Sequence, residues 1–358
     1  MKKYRITPDG VPNDGIIFVD HSKNNRSGHM GHALVECENG DILAFYPNCS
    51  AEDKTYDGHS GFGWMEYKRS SDGGETWSES FVEPNSKALF DCNIGRTFMC
   101  EKAVRTDTGR IILFYLQCDV VTNGHIWEPY FEPHYSFSED NGKTFSSAKQ
   151  LWDKRGRIYD ALYHEGVVYV LFSENPELPG VEHSENYDLL LYTSVDNGET
   201  FTLRSRVGFD SMIQRLYGNL CFTPDGRLIA YTYEKRDEFN LPYVISSDNG
   251  FTWSREARTH FAKKLRNPQI IYYKDRYFAH GRGKWPLEYN GSLVLYSSFD
   301  GVNWDDGVFL RYATAGAGAY SNNIVVRTPD GRERMMLQAS HAYEGHKTNI
   351  IMYFVDID

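Results

Sequence analysis

The sequence lacks several features that would point to particular classes of protein. No apolar run approaches the length needed to span a bilayer, so we expect no membrane segment. Acidic residues outnumber basic ones: the chain has 49 Asp and Glu and 38 Lys and Arg, so its formal net charge is −11. Proteins that bind nucleic acid need a basic surface, so we expect no nucleic-acid partner.

The cysteines and the N-terminal segment argue against a metal finger and a secretory signal, respectively. The six cysteines form no CxxC pair and no metal-finger spacing, which predicts reduced, mostly buried thiols. The first segment, MKKYRITPDGVPNDG, has two lysines but no apolar stretch behind them, so it is not typical of a secretory signal. We therefore predict a cytoplasmic protein, which would be secreted only if a leader had been removed.

What the sequence has instead is a repeated polar turn. Its five copies are SSDGGETW (70–77), SEDNGKTF (138–145), SVDNGETF (194–201), SSDNGFTW (246–253) and the degenerate SFDGVNW (298–304). In each turn we expect the Asp carboxylate to accept backbone N–H groups and Gly to supply a positive φ. The Trp or Phe should pack between neighbouring units.

Between these turns lies a second repeated pattern, in which a two-residue turn such as Asn-Gly or Asp-Gly joins two apolar stretches. It occurs six times, at 35–46, 104–115, 162–172, 221–233, 271–281 and 325–337. This is the strongest short-range signal for a β-hairpin. A hairpin plus the following Asp turn predicts four antiparallel strands, here called A to D. Such a unit, repeated roughly every 50 to 60 residues, is typical of a propeller blade.

The sequence therefore predicts an all-β fold, a six-bladed β-propeller formed as a single domain by residues 1–358. The last unit ends with TNIIMYFVDI as strand C and has no strand D. A spare strand, DGIIFVDH, lies at residues 14–21. We expect it to complete the sixth blade and close the ring, which leaves no long exposed edge.

At this spacing the polar turn resembles the Asp box, or BNR repeat, of the sialidase superfamily, whose pattern is S-x-D-x-G-x-T-W. Four copies match well, and all five together cover nearly the whole chain. The resemblance implies a sialidase-like propeller, divergent from typical sialidases. Asp boxes are not catalytic, so they indicate the fold rather than the activity.

Strand direction predicts the face that carries a ligand site. The starts of the A strands and the B–C loops share one face, and these loops are long and rich in Trp, Tyr, His, Arg and acids. Basic residues lie there too: His29, His32, Arg96, Arg157, Arg215, Arg236, Arg266 and Arg282. They predict a pocket for an anionic sugar, whose carboxylate Arg holds in a bidentate pair. The alternative is that these arginines pair with carboxylates of the same loops.

The resemblance also implies a catalytic set, which is present only in part. Sialidases hold the substrate carboxylate with three arginines and use a Tyr nucleophile paired with a Glu, and an Asp acid/base. Tyr320 in GAYSNN corresponds to the nucleophile, and Asp57 and His59 to the acid/base loop. Met30 stands where the first arginine is expected, and Tyr217 near the position of the Glu. Candidates for the missing base are Glu101, Asp160 or a loop acid.

Two other activities fit the same residues. Some propeller polysaccharide lyases use His and Tyr to remove the C5 proton of a uronate, and His32 in SGHMGH would suit that role. A non-catalytic glycan-binding propeller would use aromatic side chains on the same face, and the candidates are Trp127, Tyr130, Trp285 and Tyr289. We predict first an exo-acting glycoside hydrolase that removes a terminal acidic sugar from a glycan.

The expected roles follow from that prediction. Arg215, Arg266 and Arg282 would bind the substrate carboxylate, Asp57 or His59 would act as acid, and Tyr320 would be the nucleophile or a pocket wall. We expect no cofactor, and no metal site, because His29 and His32 are spaced for one face of a helix rather than a strand. The predicted partner is an acidic oligosaccharide, and the sequence does not indicate an oligomeric state.

Overall fold

The computed structural model describes residues 4–8, 16–52, 58–92, 95–119, 130–174, 188–210, 215–284 and 291–357. These residues form six antiparallel sheets, and each sheet is one blade of a six-bladed β-propeller. The predicted fold class is therefore confirmed. Each hairpin with a Gly turn forms strands A and B, and each Asp turn joins strands C and D.

Blades 2 to 5 have the predicted four strands in sequence order. Blade 2 contains β8 (Arg96–Arg105), β9 (Ile111–Asp119), β10 (His134–Ser138) and β11 (Lys149–Gln150). Blade 3 contains β12 (Gly156–His164), β13 (Val167–Glu174), β14 (Leu189–Ser194) and β15 (Thr202–Arg206). Blade 4 contains β16 (Arg215–Phe222), β17 (Leu228–Glu234), β18 (Asn240–Ser246) and β19 (Ala257–His260). Blade 5 contains β20 (Arg266–Tyr273), β21 (Arg276–Gly283), β22 (Ser292–Ser298) and β23 (Val308–Arg311).

Blades 1 and 6 contain the two ends of the chain. Blade 1 has a divided inner strand and contains β3 (Arg26–Ser27), β4 (Leu34–Glu36), β5 (Ile42–Ser50), β6 (Gly63–Ser70) and β7 (Phe81–Val82). Blade 6 contains β24 (Ser321–Arg327), β25 (Glu333–Glu344) and β26 (Lys347–Ile357), joined by β1 (Tyr4–Thr7) and β2 (Ile16–Val19).

The N-terminal strands complete the sixth blade. β2, within the spare strand predicted from the sequence, pairs antiparallel with β26. β1 also pairs with β26 and was not predicted, because its residues YRIT contain no apolar run like the IIFV of β2. The ring is thus closed by chain that is far away in sequence, and the outer edge of β26 is covered.

The core lies between the blades. Six clusters of buried apolar side chains are present, and each joins two neighbouring sheets. Leu43 and Phe45 of blade 1, for example, pack with Leu113 and Tyr115 of blade 2. Sheets that pack face to face in this way stabilise the ring by burial of apolar area, about 25 cal/mol per Å².

The repeated turns have the geometry expected from the sequence. In the turn at 194–201 the Asp196 carboxylate accepts the Thr200 backbone N–H at 3.0 Å and the Ser194 hydroxyl at 2.6 Å. Gly198 has a φ of 81°. Phe201 contacts Phe114 of the preceding blade, with ring centroids 5.8 Å apart. The turns are therefore structural elements that hold each blade against the previous one.

Two short helices complete the fold. The 3-10 helix η1 (His21–Asn24) precedes β3, and the α-helix α1 (Pro84–Asp91) follows β7, with the Glu83 side chain capping its N-terminus. No helix in the described ranges is both long and apolar enough to cross a membrane. All six cysteines are free thiols and only Cys92 is exposed, as the sequence predicted.

Candidate active site

A bulge interrupts the inner strand of four blades at the same level of the axis. The register shifts lie between Cys100 and Lys102 in β8, Ile158 and Asp160 in β12, Leu216 and Asn219 in β16, and Arg266 and Gln269 in β20. A bulge re-aims the side chain of its extra residue, and bulges are enriched beside active sites. The re-aimed residues Glu101, Tyr159, Tyr217 and Asn267 line one cavity on the axis.

Tyr320, just before β24, lies in the wall of this cavity and contacts a second tyrosine. The rings of Tyr320 and Tyr217 have centroids 6.1 Å apart, and a hydrogen bond joins the two side chains. Tyr217 has a φ of 53°, a left-handed conformation that is uncommon for a residue other than Gly. Strain of this kind at a pocket indicates a functional position.

Three arginines surround the tyrosine pair. The Arg282 guanidinium lies 4.5 Å from the centroid of the Tyr320 ring. The Arg157 guanidinium lies 4.7 Å from the centroid of the Tyr217 ring. Together with Arg266, these two arginines lower the pKa of Tyr320. Three of the basic residues named from the sequence, Arg157, Arg266 and Arg282, therefore lie around this tyrosine pair.

The arginines set the ionisation of the tyrosine pair. Burial opposes ionisation of Tyr320, but the charges of the arginines, with Arg282 foremost, and the hydrogen bond from Tyr217 lower its pKa below the usual value of tyrosine. Burial and the neighbouring Tyr320 raise the pKa of Tyr217 well above that value. Of the two hydroxyls, that of Tyr320 is therefore the one that ionises more readily.

Each arginine keeps a donor for a ligand. Within the described residues, buried Arg157 Nε, Arg266 Nε and Arg282 Nη2 have no hydrogen-bond partner. Their other contacts differ: Arg157 Nη2 donates to Glu101 Oε2 at 2.8 Å, and Arg282 Nε donates to the Gly318 carbonyl oxygen at 2.6 Å. The alternative prediction, that these arginines serve to pair with carboxylates, therefore accounts for only part of the contacts of Arg157 and for none of those of Arg282. Unpaired buried donors on cations are the features of an anion site.

A group of histidines adjoins Tyr320 on the blade 1 side. The rings of His29 and His59 have centroids 4.5 Å apart, and those of His29 and Tyr320 are 6.1 Å apart. His29 Nε2 donates to the His346 carbonyl oxygen at 2.5 Å. Burial, followed by the charge of Arg282, lowers the pKa of His59 to about 3, so this imidazole is neutral at neutral pH.

His32 and Asp160 are held in structural contacts. The ring nitrogens of His32 contact the His29 carbonyl oxygen at 2.7 Å and the Gln338 amide nitrogen at 3.3 Å. Asp160 pairs with Lys102 Nζ at 3.0 Å and accepts the Leu220 backbone N–H at 2.7 Å. Because the bulge in β12 directs Tyr159 into the pocket, Asp160 lies below the group around Tyr320.

Lys102, Gln269 and Asn322 form the floor of the pocket. Lys102 Nζ donates to Gln269 Oε1 at 2.5 Å and to Asn322 Oδ1 at 2.8 Å. These three residues also line a second cavity of about 410 Å³ on the far side, which includes Asp160. The axial channel is thus divided by a polar layer, and the Tyr320 pocket is closed at its base.

The other predicted residues do not join this group or lie outside the described chain. Arg96 stacks on Phe131, 3.9 Å from the ring centroid, and Arg236 is exposed after β17. Tyr130 is buried in the core between blades 1 and 2, so it offers no stacking surface. Met30 is buried and lines the cavity. The described ranges do not include Asp57, Trp127, Trp285, Tyr289 or the side chain of Arg215.

The sequence analysis did not identify Tyr159, Asn267 or His346. Tyr159 and Asn267 are bulge residues, and a bulge leaves no periodic signal in a single sequence. A left-handed φ of 54° at Asn267 would agree with the preference of Asn for that conformation, but it is visible only in the structure. Within the described ranges, no group of three or more His, Cys, Asp or Glu side chains is arranged to hold a metal ion.

Comparison with known proteins places the chain near the sialidases. No protein-family model matches it. A sialidase from Clostridium perfringens is 29% identical over 236 residues, which cover 60% of this chain and 57% of that relative. The solved structure of the Hadza microbial sialidase Hz136 has a TM-score of 0.70 at 14% identity and covers 94% of this chain and 68% of that one. The solved structure of a protein of unknown function from Dyadobacter fermentans has a TM-score of 0.67 at 14% identity. The match covers 98% of this chain and 100% of that one.

These similarities make the chain a distant, divergent relative of the sialidases. The structural likeness, at 14% identity, concerns the fold alone, which is a six-bladed β-propeller. The sequence match spans little more than half the length of the Clostridium perfringens relative.

Proposed function

We propose that the protein is an exo-acting glycoside hydrolase of the sialidase type, which removes a terminal acidic sugar from a glycan. The observation that supports it is the half-buried Tyr320 phenol among three arginines with unpaired donors. Arg266 and Arg282 would bind the carboxylate of the sugar, and all three arginines would favour the ionised form of the nucleophile. A neutral glycan would leave these donors unpaired.

The reaction would have two steps. In the first, the Tyr320 oxygen attacks the anomeric carbon while the bond to the leaving oxygen breaks, and an acid donates its proton to that oxygen. In the second, water attacks the same carbon and gives a proton back to the acid residue, and the Tyr320 oxygen leaves as the phenolate. This is the Tyr-nucleophile variant of a retaining glycosidase.

We assign the role of the acid to Asp57. This residue lies outside the described ranges, so the assignment rests on the sequence pattern alone. The alternative, His59, is neutral at neutral pH because burial lowers its pKa to about 3. A neutral imidazole is a weak proton donor, so His59 would instead orient the leaving group by a hydrogen bond. Tyr217 would replace the glutamate of other sialidases: it donates a hydrogen bond to Tyr320 and leaves charge stabilisation to the arginines.

One observation favours a second candidate, a lyase acting on a uronate. Tyr320 and Tyr217 are in contact, and their environments move their pKa values in opposite directions. Such a pair is suited to acid and base catalysis. In a lyase, ionised Tyr320 would remove the C5 proton, Tyr217 would protonate the leaving oxygen, and the arginines would neutralise the uronate carboxylate.

A digest of sialylated, uronate-containing and neutral oligosaccharides tests both candidates. We expect release of a free acidic sugar without the ultraviolet absorbance of an unsaturated uronate, and loss of that release in Tyr320→Phe. Tyr243→Phe, on β18 away from the axis, is the matched control and should retain full release. New absorbance lost in Tyr320→Phe would establish the lyase, and binding without any product would indicate a glycan-binding propeller.

A further inference from the structure

The four bulges leave a small cavity beneath Tyr320. Its volume is about 30 Å³, and its lining includes Glu101, Tyr217, Asn267 and Tyr320. The polar floor of Lys102, Gln269 and Asn322 closes it below. A cavity of this size holds about one water molecule or one hydroxyl group.

Buried polar atoms without protein partners line this cavity. Asn267 is only 4% exposed, and in the described part of the chain neither its Oδ1 nor its Nδ2 has a hydrogen-bond partner. In the described part of the chain, Glu101 Oε1 also has no hydrogen-bond partner. Arg157 binds only the other carboxylate oxygen, Oε2. Native proteins rarely leave such groups unsatisfied, so their presence around one cavity indicates an occupant.

The backbone supports a functional role for Asn267. Its φ is 54°, and it lies in the bulge between Arg266 and Gln269. A regular strand would need neither the bulge nor the left-handed conformation. The strained backbone directs the Asn267 side chain to the axis, opposite Glu101.

The unpaired atoms define the chemistry of the occupant. The Glu101 and Asn267 oxygens accept hydrogen bonds, and the Asn267 nitrogen and the unpaired Nε of Arg157, which also lines the cavity, donate them. A hydroxyl group or a water molecule both donates and accepts, so it satisfies this set. A carboxylate only accepts, and it would be repelled by Glu101. An apolar substituent would leave every one of these groups unpaired.

We propose that this cavity is a hydroxyl subsite, in which Glu101 and Asn267 bind one sugar hydroxyl of the substrate and hold a water molecule when the protein is free. The substrate carboxylate then lies above it, at Arg266 and Arg282. The identity of the sugar rests on the proposed function, whereas the water site does not. The subsite selects acidic sugars that carry a hydroxyl at the matching position.

A high-resolution crystal structure of the free protein tests the water site independently of any activity. We expect one ordered water within about 2.7–3.2 Å of Glu101 Oε1 and of the Asn267 carboxamide. A dry cavity, or an Asn267 carboxamide bonded to other protein groups, overturns the proposal.

Binding of N-acetylneuraminic acid and its 4-, 7-, 8- and 9-deoxy analogues, measured by calorimetry, tests the sugar hydroxyl. We expect one analogue to bind roughly 10- to 100-fold more weakly than the parent, because it leaves buried groups unpaired. In Asn267→Gly that difference should largely disappear. Gly adopts the same φ without strain, so the variant removes the carboxamide alone.

Asn249→Gly is the matched control, because Asn249 is exposed in a polar turn with a φ of 60° and should leave the difference unchanged. If all analogues bind as well as the parent, the hydroxyl subsite is wrong while the proposed hydrolase stands. If N-acetylneuraminic acid neither binds nor is released from glycans, the proposed function fails. The presence or absence of the ordered water in the crystal structure then tests the subsite by itself.

Discussion

The side chain of Tyr217 donates a hydrogen bond to Tyr320, with ring centroids 6.1 Å apart, near the position where the sialidase pattern has a glutamate. A glutamate would accept the proton of the nucleophile. Tyr217 cannot do so, since burial raises its own pKa well above the usual value. The charges of Arg282, Arg157 and Arg266 lower the pKa of Tyr320, and in the proposed mechanism they would take over this role.

We expect Tyr217→Phe to raise the pKa of Tyr320, since a tyrosinate loses a hydrogen-bond donor. Activity that needs the ionised tyrosine rises as pH increases through its pKa. The acidic limb of the pH profile of kcat/KM should therefore move to higher pH, while the protein remains folded. Tyr233→Phe, a nearby tyrosine whose hydroxyl is unpaired within the described residues, is the control. An unchanged limb in Tyr217→Phe would show that the hydrogen bond does not set this ionisation.

Arg266→Lys should weaken binding of the acidic substrate by roughly 10- to 100-fold, because lysine cannot form the bidentate pair with a carboxylate. The expected change is mainly in KM, measured with a sialylated oligosaccharide. The control is Arg236→Lys on the exposed end of blade 4, which should leave KM within about twofold. Equal effects of the two variants would place the carboxylate elsewhere.

Lys102→Met should destabilise the protein by about 3–5 kcal/mol, because it leaves the buried Asp160 carboxylate without its cation. Denaturant unfolding measures the free energy of unfolding. The double variant Lys102→Met with Asp160→Asn should recover part of that loss, since the unpaired charge is gone. No recovery would mean that the Gln269 and Asn322 contacts, rather than the ion pair, explain the loss.

The polar turns predict how stability depends on pH in acid. Burial raises the pKa of Asp196, but hydrogen bonds from Ser194 and Thr200 together outweigh it and lower this pKa to about 2, from a usual value of 3.8. A depressed folded-state pKa contributes stability above pH 3.8 that is lost as pH falls towards 2. We expect Asp196→Asn to be less stable at neutral pH and to lose less stability over that window. Asp306→Asn, outside any such turn, should behave like the unmodified protein when unfolding is followed by circular dichroism.

Local patterns in the sequence were sufficient to predict the six blades, the polar turns and the closing strand. Each of these features is built from hydrogen bonds within about a dozen residues, or from apolar alternation along one strand, and both leave a visible spacing. The strand within 14–21 was identified because blade 6 had no partner for its last strand. β1, of the same length as β2, was not identified because its residues YRIT contain no apolar run.

The composition of the pocket was decided by the tertiary structure. Arg282 and Tyr320 were identified from the sequence and lie together. Asp160 was the candidate predicted from the sequence, but its neighbour Tyr159 lines the pocket instead, because a bulge in β12 moves every later side chain to the other side. Glu101 and Asn267 lie on blades 2 and 5, so no local pattern relates them. Glu101 and Asn267 line the same cavity only because the six blades close into a ring.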